Sequence, residues 1–142
     1  MDRTEDLDLN LHSVVLRIGD ETMRGLFMAD AGGFGEIRLS RLERDISADV
    51  LKVAHHGSKN SCLSMFLDRV HPHSAVISLG MKNIYRLPHK SVLERLKEQN
   101  ITVYRTDYDG EVKFYKENST LQVKSAKAYT DNTLDSASAC TE

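Results

Sequence analysis

The sequence predicts an α/β layered fold, and three observations carry that expectation. Short apolar runs rich in β-branched residues stop abruptly at Gly or at His-Gly, as buried strands do. Between them lie longer stretches whose apolar residues recur at i, i+3, i+4 and i+7, the spacing of a helix with one inward face. The two kinds alternate in the order β-β-α-β-α-β-α-β-β, which is the pattern of a layered sheet with crossover helices. A chain of 142 residues with 40% hydrophobic and 28% charged content supports one globular domain with a real core. The domain is expected over residues 12–123, preceded by a flexible acidic segment (1–11) and followed by a disordered Ser/Ala/Thr/Asp-rich tail (124–142).

The elements follow in order. Ser13 to Ile18 reads as a strand, Gly19 to Thr22 as its turn and Met23 to Ala29 as the returning strand of a hairpin. Asp30-Ala31-Gly32-Gly33 reads as a loop with a carboxylate at its lip. Phe34 to Arg44 carries Phe34, Ile37, Leu39 and Leu42 as a helical stripe. Asp49 to Ala54 is a buried strand that runs into His55-His56-Gly57-Ser58. Ser61 is expected to cap a helix from Cys62 to Val70, whose Leu63, Phe66, Leu67 and Val70 face the core and which Pro72 stops. Ser74 to Leu79 is the next buried strand and Met81 to Leu87 a loop. Pro88 to Ser91 starts a helix through Gln99, with Val92, Leu93 and Leu96 inward and Lys90, Arg95, Lys97 and Glu98 on a solvated face. Thr102 to Tyr104 is a short strand, Asp109-Gly110 a hairpin signal, Glu111 to Tyr115 an alternating strand, and Ser119 to Val123 an edge strand.

Several function classes are excluded or disfavoured. A net charge of −2 recruits neither nucleic acid nor an anionic membrane, and there is no basic patch or aromatic platform for a stand-alone nucleic-acid binder. No segment approaches the ~18 apolar residues of a membrane span, and the acidic start is unlike a signal peptide. Cys62 and Cys140 form neither a disulfide framework nor a zinc knuckle, so a reducing, cytoplasmic setting is the default expectation. No Gly-rich phosphate loop is present.

Chemistry concentrates at three strand ends: Asp30, then His55-His56, then Gly80 to His89. If the strands lie parallel and adjacent, these tips share one edge of the sheet, where α/β proteins build their sites. An Asp carboxylate and a neutral imidazole are ordinary ligands for zinc and similar divalent ions. Two ligands fall short of the three that a catalytic zinc takes. Each residue also has a plainer reading. Asp30 before two glycines suits a turn, Ser58 suits a cap as well as a ligand contact, His89 suits a helix start as well as catalysis, and His71 and His73 suit the surface.

Phe27-Met-Ala-Asp-Ala31, Asp49-Val-Leu-Lys-Val-Ala-His-His-Gly-Ser58, Ala75-Val-Ile-Ser-Leu-Gly80, Asn83-Ile-Tyr-Arg-Leu-Pro-His89 and Val103-Tyr-Arg-Thr-Asp-Tyr-Asp-Gly110 occur in that order. Together, over about residues 10 to 115, they resemble the C-terminal half of the metallo-β-lactamase-like domain of ComEC-type DNA-uptake competence proteins and related hydrolases. The resemblance implies a partial αββα sandwich, with a sheet face left open for the missing half. It implies that Asp30 bridges two metal ions, Zn2+ or Mn2+, and that the His-His-Gly-Ser segment supplies a further ligand. That ligand role is carried to His56, with His55 as a catalytic or substrate-facing group, although the sequence leaves the two interchangeable. It places Ser58, Tyr85 and His89 near the substrate, a phosphodiester or nucleic acid. Arg86-Leu87 stands where relatives carry Gly-His, and the family's upstream His-x-His-x-Asp-His motif has no counterpart here. Two functions follow: a metal-dependent hydrolase completed by a missing N-terminal half or second polypeptide, or a catalytically silent remnant serving as a binding or assembly module.

Overall fold

The computed structural model describes residues 9–127. A single 3-10 turn, Leu9–His12, precedes β1 (Leu16–Gly19) and β2 (Arg24–Phe27). There follow α1 (Gly32–Ser40), β3 (Val50–Lys52), α2 (Ser64–Val70), β4 (Ser74–Ile77), α3 (Lys90–Glu98) and β5 (Thr102–Arg105). One helical turn, α4 (Thr106–Asp109), leads to the hairpin strands β6 (Val112–Glu117) and β7 (Thr120–Ser125). The expected α/β class holds, and so does the order of strands and helices except that α4 lies between β5 and β6.

The main sheet has the order β1-β2-β3-β4-β5. β1 pairs antiparallel with β2 as the expected hairpin, and β2 to β5 pair in parallel. Sequential parallel strands joined by right-handed crossovers put every connecting helix on the same face. The packing agrees. Leu26, Leu51, Ala75 and Ile77 share one buried cluster with Phe66, Leu67 and Val70 of α2 and Val92 and Leu96 of α3. Side chains alternate across a strand, so the next register position faces the other way. That row runs Leu16, Phe27, Lys52, Val76, Tyr104 across the five strands. Leu16, Ile18 and Phe27 on this second face are 51%, 58% and 46% exposed, apolar side chains that no helix among the described residues covers. At the β5 end Tyr104 packs edge-on against Phe114 of the β6–β7 hairpin, with ring centroids 5.6 Å apart.

The structure corrects several sequence expectations. Helix α1 begins at Gly32, so the two glycines after Asp30 form its first turn rather than a loop, and it ends at Ser40 rather than Arg44. Its buried residues are Glu36 and Ser40, whereas Phe34 of the expected apolar stripe is 70% exposed. The helix is turned by close approach: a Cβ on Gly33 would lie 2.6 Å from the carbonyl oxygen of Asn60. Ser61 does not cap α2, which starts at Ser64; the Ser61 hydroxyl instead donates to the Ala54 carbonyl at 2.9 Å. Asp109-Gly110 does not make a hairpin, because the Asp109 carboxylate accepts the Arg105 amide at 2.6 Å and ends the turn of α4. The hairpin lies later, at Asn118-Ser119, whose φ of 50° and 63° match the primed turns that join twisted strands. Strand β7 runs to Ser125, past the boundary expected at 123. The remainder of the predicted tail, and residues 1–8 of the predicted N-terminal segment, lie outside the described residues. Among the described residues no helix is long and apolar enough to cross a membrane.

Candidate functional site at the carboxyl edge of the sheet

The parallel register brings the ends of β2, β3 and β4 level, and the site grows from those ends. Beyond β2 the backbone reverses at Ala29, with φ of 46°, and the Ala31 amide donates to the Met28 carbonyl at 3.1 Å. Asp30 sits at this lip. Beyond β3 the chain makes a tight turn over Ala54–Gly57 in which His55, His56 and Gly57 are all left-handed, with φ of 45°, 53° and 77°. A non-glycine residue in that region costs roughly 1–2 kcal/mol, so two histidines in succession require outside support. The His55 amide donates to the Ala29 carbonyl at 2.9 Å, tying this turn to the Asp30 lip. The His89 amide donates to the Gly57 carbonyl at 2.8 Å, tying it to the start of α3. Gly57 is required twice over: its φ is left-handed, and a Cβ there would lie 2.7 Å from Cβ of Pro88.

These ties aim His56. Its Nδ1 lies 2.7 Å from the carbonyl oxygen of Ser78, beyond the end of β4. A carbonyl only accepts, so Nδ1 carries the proton, and the lone pair of the neutral ring is on Nε2. Nε2 stands 3.8 Å from Oδ1 of Asp30, and both side chains are about half exposed (47% and 45%). An imidazole with one nitrogen bonded to a backbone carbonyl and the other left bare is the arrangement in which histidine ligates metals. The pair is therefore suited in chemistry and spacing to share a cation. Among the described residues no group of three His, Cys, Asp or Glu side chains could hold a metal ion, so the pair supplies at most two ligands.

The other predicted site residues stand in different relations to this pair. His55 is partly buried and adjoins it on the same turn. The Ser58 hydroxyl faces that of Ser61 at 3.1 Å and serves the loop's own network. His89 is the N-cap of α3: its Nδ1 accepts the Ser91 amide at 3.2 Å. Tyr85 is 76% exposed on a loop closed by Asn83, whose side chain bonds both the amide and the carbonyl of Leu87. His71 and His73 are exposed, as expected.

Three residues near the site escape a reading by pattern. Lys52 is partly buried on the open sheet face and donates to the Val53 carbonyl at 2.9 Å; burial lowers its pKa, against the opposing attraction of Asp30. Glu36 is fully buried, and its two oxygens accept the amides of Cys62 and Leu63, each at 2.8 Å. Burial pushes its carboxyl up to about 7, with the two amide bonds and the Arg95 charge opposing. Arg95, expected on a solvated face, donates to the carbonyls of Cys62 (2.8 Å), Lys59 (2.9 Å) and Ser61 (2.6 Å). The one sequence signal for Glu36 is the cluster Gly32, Gly33 and Gly35 just before it, a mark of close backbone approach.

The fold and site thus define a mixed α/β chain with an Asp–His pair at the carboxyl edge of its parallel sheet. Known proteins narrow this further. The chain is 38% identical over 105 residues, 74% of its length, to ComE operon protein 3 of Bacillus subtilis (strain 168). It is 36% identical over 83% of its length to Recombination protein 2 of Haemophilus influenzae, and 33% identical over 78% to Competence protein ComA of Neisseria gonorrhoeae. These homologues support a competence-protein family for the chain. The matched segments make up 14%, 15% and 16% of those relatives, so the chain spans a small part of each. No family model matches.

Proposed function

We propose that this chain is one part of a DNA-uptake-related, metal-dependent hydrolase of metallo-β-lactamase type, acting on a phosphodiester or nucleic acid and incomplete by itself. The observation that carries the reading is the Asp30–His56 pair, 3.8 Å apart, with His56 oriented by the Ser78 carbonyl. The names of the relatives support the link to competence. In this reading Asp30 and His56 hold a zinc or manganese ion, which when bound supplies Lewis-acid polarisation and an activated water. His55, beside them, assists by proton transfer or by contact with the substrate, while Tyr85 and His89 flank the entrance. The missing ligands come from a further region of the kind that makes up most of each relative, or from a second polypeptide. The uncovered face bearing Leu16, Ile18 and Phe27 is the surface on which that region packs.

Titration of the purified chain with Zn2+ by calorimetry, beside an Asp30→Ala/His56→Ala double variant, tests this. Weak binding by the wild type that is lost in the variant is expected. Equal binding, or none in either protein, overturns it. A second reading, the silent binding or assembly module, is favoured by the want of a three-ligand group among the described residues, and it predicts the null result.

A further inference from the structure

We propose that Glu36 and Arg95 are positioning residues for the candidate site: between them they clamp segment 59–63 and thereby hold the His55–Gly57 turn that aims His56 at Asp30. The inference rests on the Asp30–His56 reading for its functional meaning, but the clamp itself is geometric. Segment 58–63 is irregular and includes a left-handed Cys62, with φ of 57°. Its backbone groups need partners once they are removed from water. Glu36 on α1 takes the amides of Cys62 and Leu63, and Arg95 on α3 takes the carbonyls of Lys59, Ser61 and Cys62. A carboxylate that only accepts and a guanidinium that only donates thus divide the segment's amides and carbonyls between them.

The clamp reaches the histidines through Ser58 and Ser61. The Ser61 hydroxyl donates to the Ala54 carbonyl at the head of the turn, and the Ser61 amide donates to the Ser58 carbonyl at 2.8 Å. The Ser58 amide in turn donates to the His55 carbonyl at 2.9 Å. Five backbone contacts on the clamped segment are therefore two hydrogen bonds away from a turn that is unfavourable in isolation. Stability alone gives no reason for a fully buried glutamate here, because desolvating a carboxylate is expensive and an apolar residue could fill the space. Geometric precision at the neighbouring turn does give one.

The test uses the full chain with Glu36→Gln and Arg95→Lys. The 15N shifts of the His56 ring report which nitrogen carries the proton once the ring is neutral. The wild type should hold the Nδ1–H form against Ser78, and both variants should shift toward the Nε2–H form that histidine prefers in water. Amide exchange, normalised to the Val53 amide that pairs with Val76, should quicken at least tenfold at His55 and Ser58. Arg95→Lys, which keeps the charge and some of the donors, should show the smaller change and remain measurable if Glu36→Gln does not fold. An unchanged His56 tautomer with unchanged His55 and Ser58 protection overturns the proposal and leaves the clamp as a cap on α2. Neither readout requires metal, so they judge the clamp even if the zinc titration refutes the site.

Discussion

Glu36 offers a prediction whose size and sign follow from its surroundings. The carboxyl is fully buried, and its proton is held up to about 7, compared with 4.5 for a free glutamate. At ~1.36 kcal/mol per pH unit, that difference corresponds to about 3 kcal/mol. Because the folded chain binds this proton more tightly than the unfolded chain does, stability falls as pH rises. The contribution is fully present below 4.5, where both states are protonated, and is lost by the time pH has passed about 7. The assay is urea denaturation of the wild type and Glu36→Gln at a series of pH values from 4.5 to 8. Subtracting one from the other cancels the histidines and surface carboxylates common to both. Wild-type stability should fall by about 3 kcal/mol relative to the variant across that window. A flat difference, or one that rises with pH, refutes the reasoning: the two amide bonds and Arg95 would then balance the burial of the charge, or outweigh it.

Two further substitutions probe the turn and the open face. Gly57→Ala adds a methyl group at a left-handed φ and 2.7 Å from Pro88; strain of ~1–2 kcal/mol plus overpacking of ~1–3 kcal/mol predicts a loss of about 2–5 kcal/mol in urea denaturation. A loss under about 1 kcal/mol would show that the α3 approach yields freely. Phe27→Thr removes an aromatic ring that is 46% exposed while keeping a strand-forming residue. Stability should stay within about 1 kcal/mol while binding of a hydrophobic dye falls, and a large destabilisation would mean the ring is already packed.

The site was legible as a set of residue types and only partly as an arrangement. His-His-Gly-Ser after an apolar run marks a strand end with candidate ligands, and Asp30 after another marks its neighbour. Parallel pairing then brings the two together, as the alternation of strands and helices implied. The sequence leaves His55 and His56 interchangeable; both have a left-handed backbone, and it is the ring of His56 that meets the Ser78 carbonyl and approaches Asp30. Its charge places Arg95 on a solvated face in any reading by pattern, since periodicity sees no carbonyls. Glu36 escapes the same reading because the apolar stripe headed by Phe34 points to a different face of the helix.

By itself the sequence determined what depends on local pattern: the α/β class, the order of the elements, the inward faces of α2 and α3, and the strand ends that carry Asp30 and the histidines. Those properties follow from side-chain period and from where glycine and proline interrupt it. Only the tertiary structure decided which ring nitrogen of His56 is bare, that Glu36 and Arg95 grip segment 59–63, and that Asp109-Gly110 ends a helical turn. The first two depend on partners 20 to 40 residues away, which no local window of sequence contains, and the third on a competing local bond from the Arg105 amide to the Asp109 carboxylate.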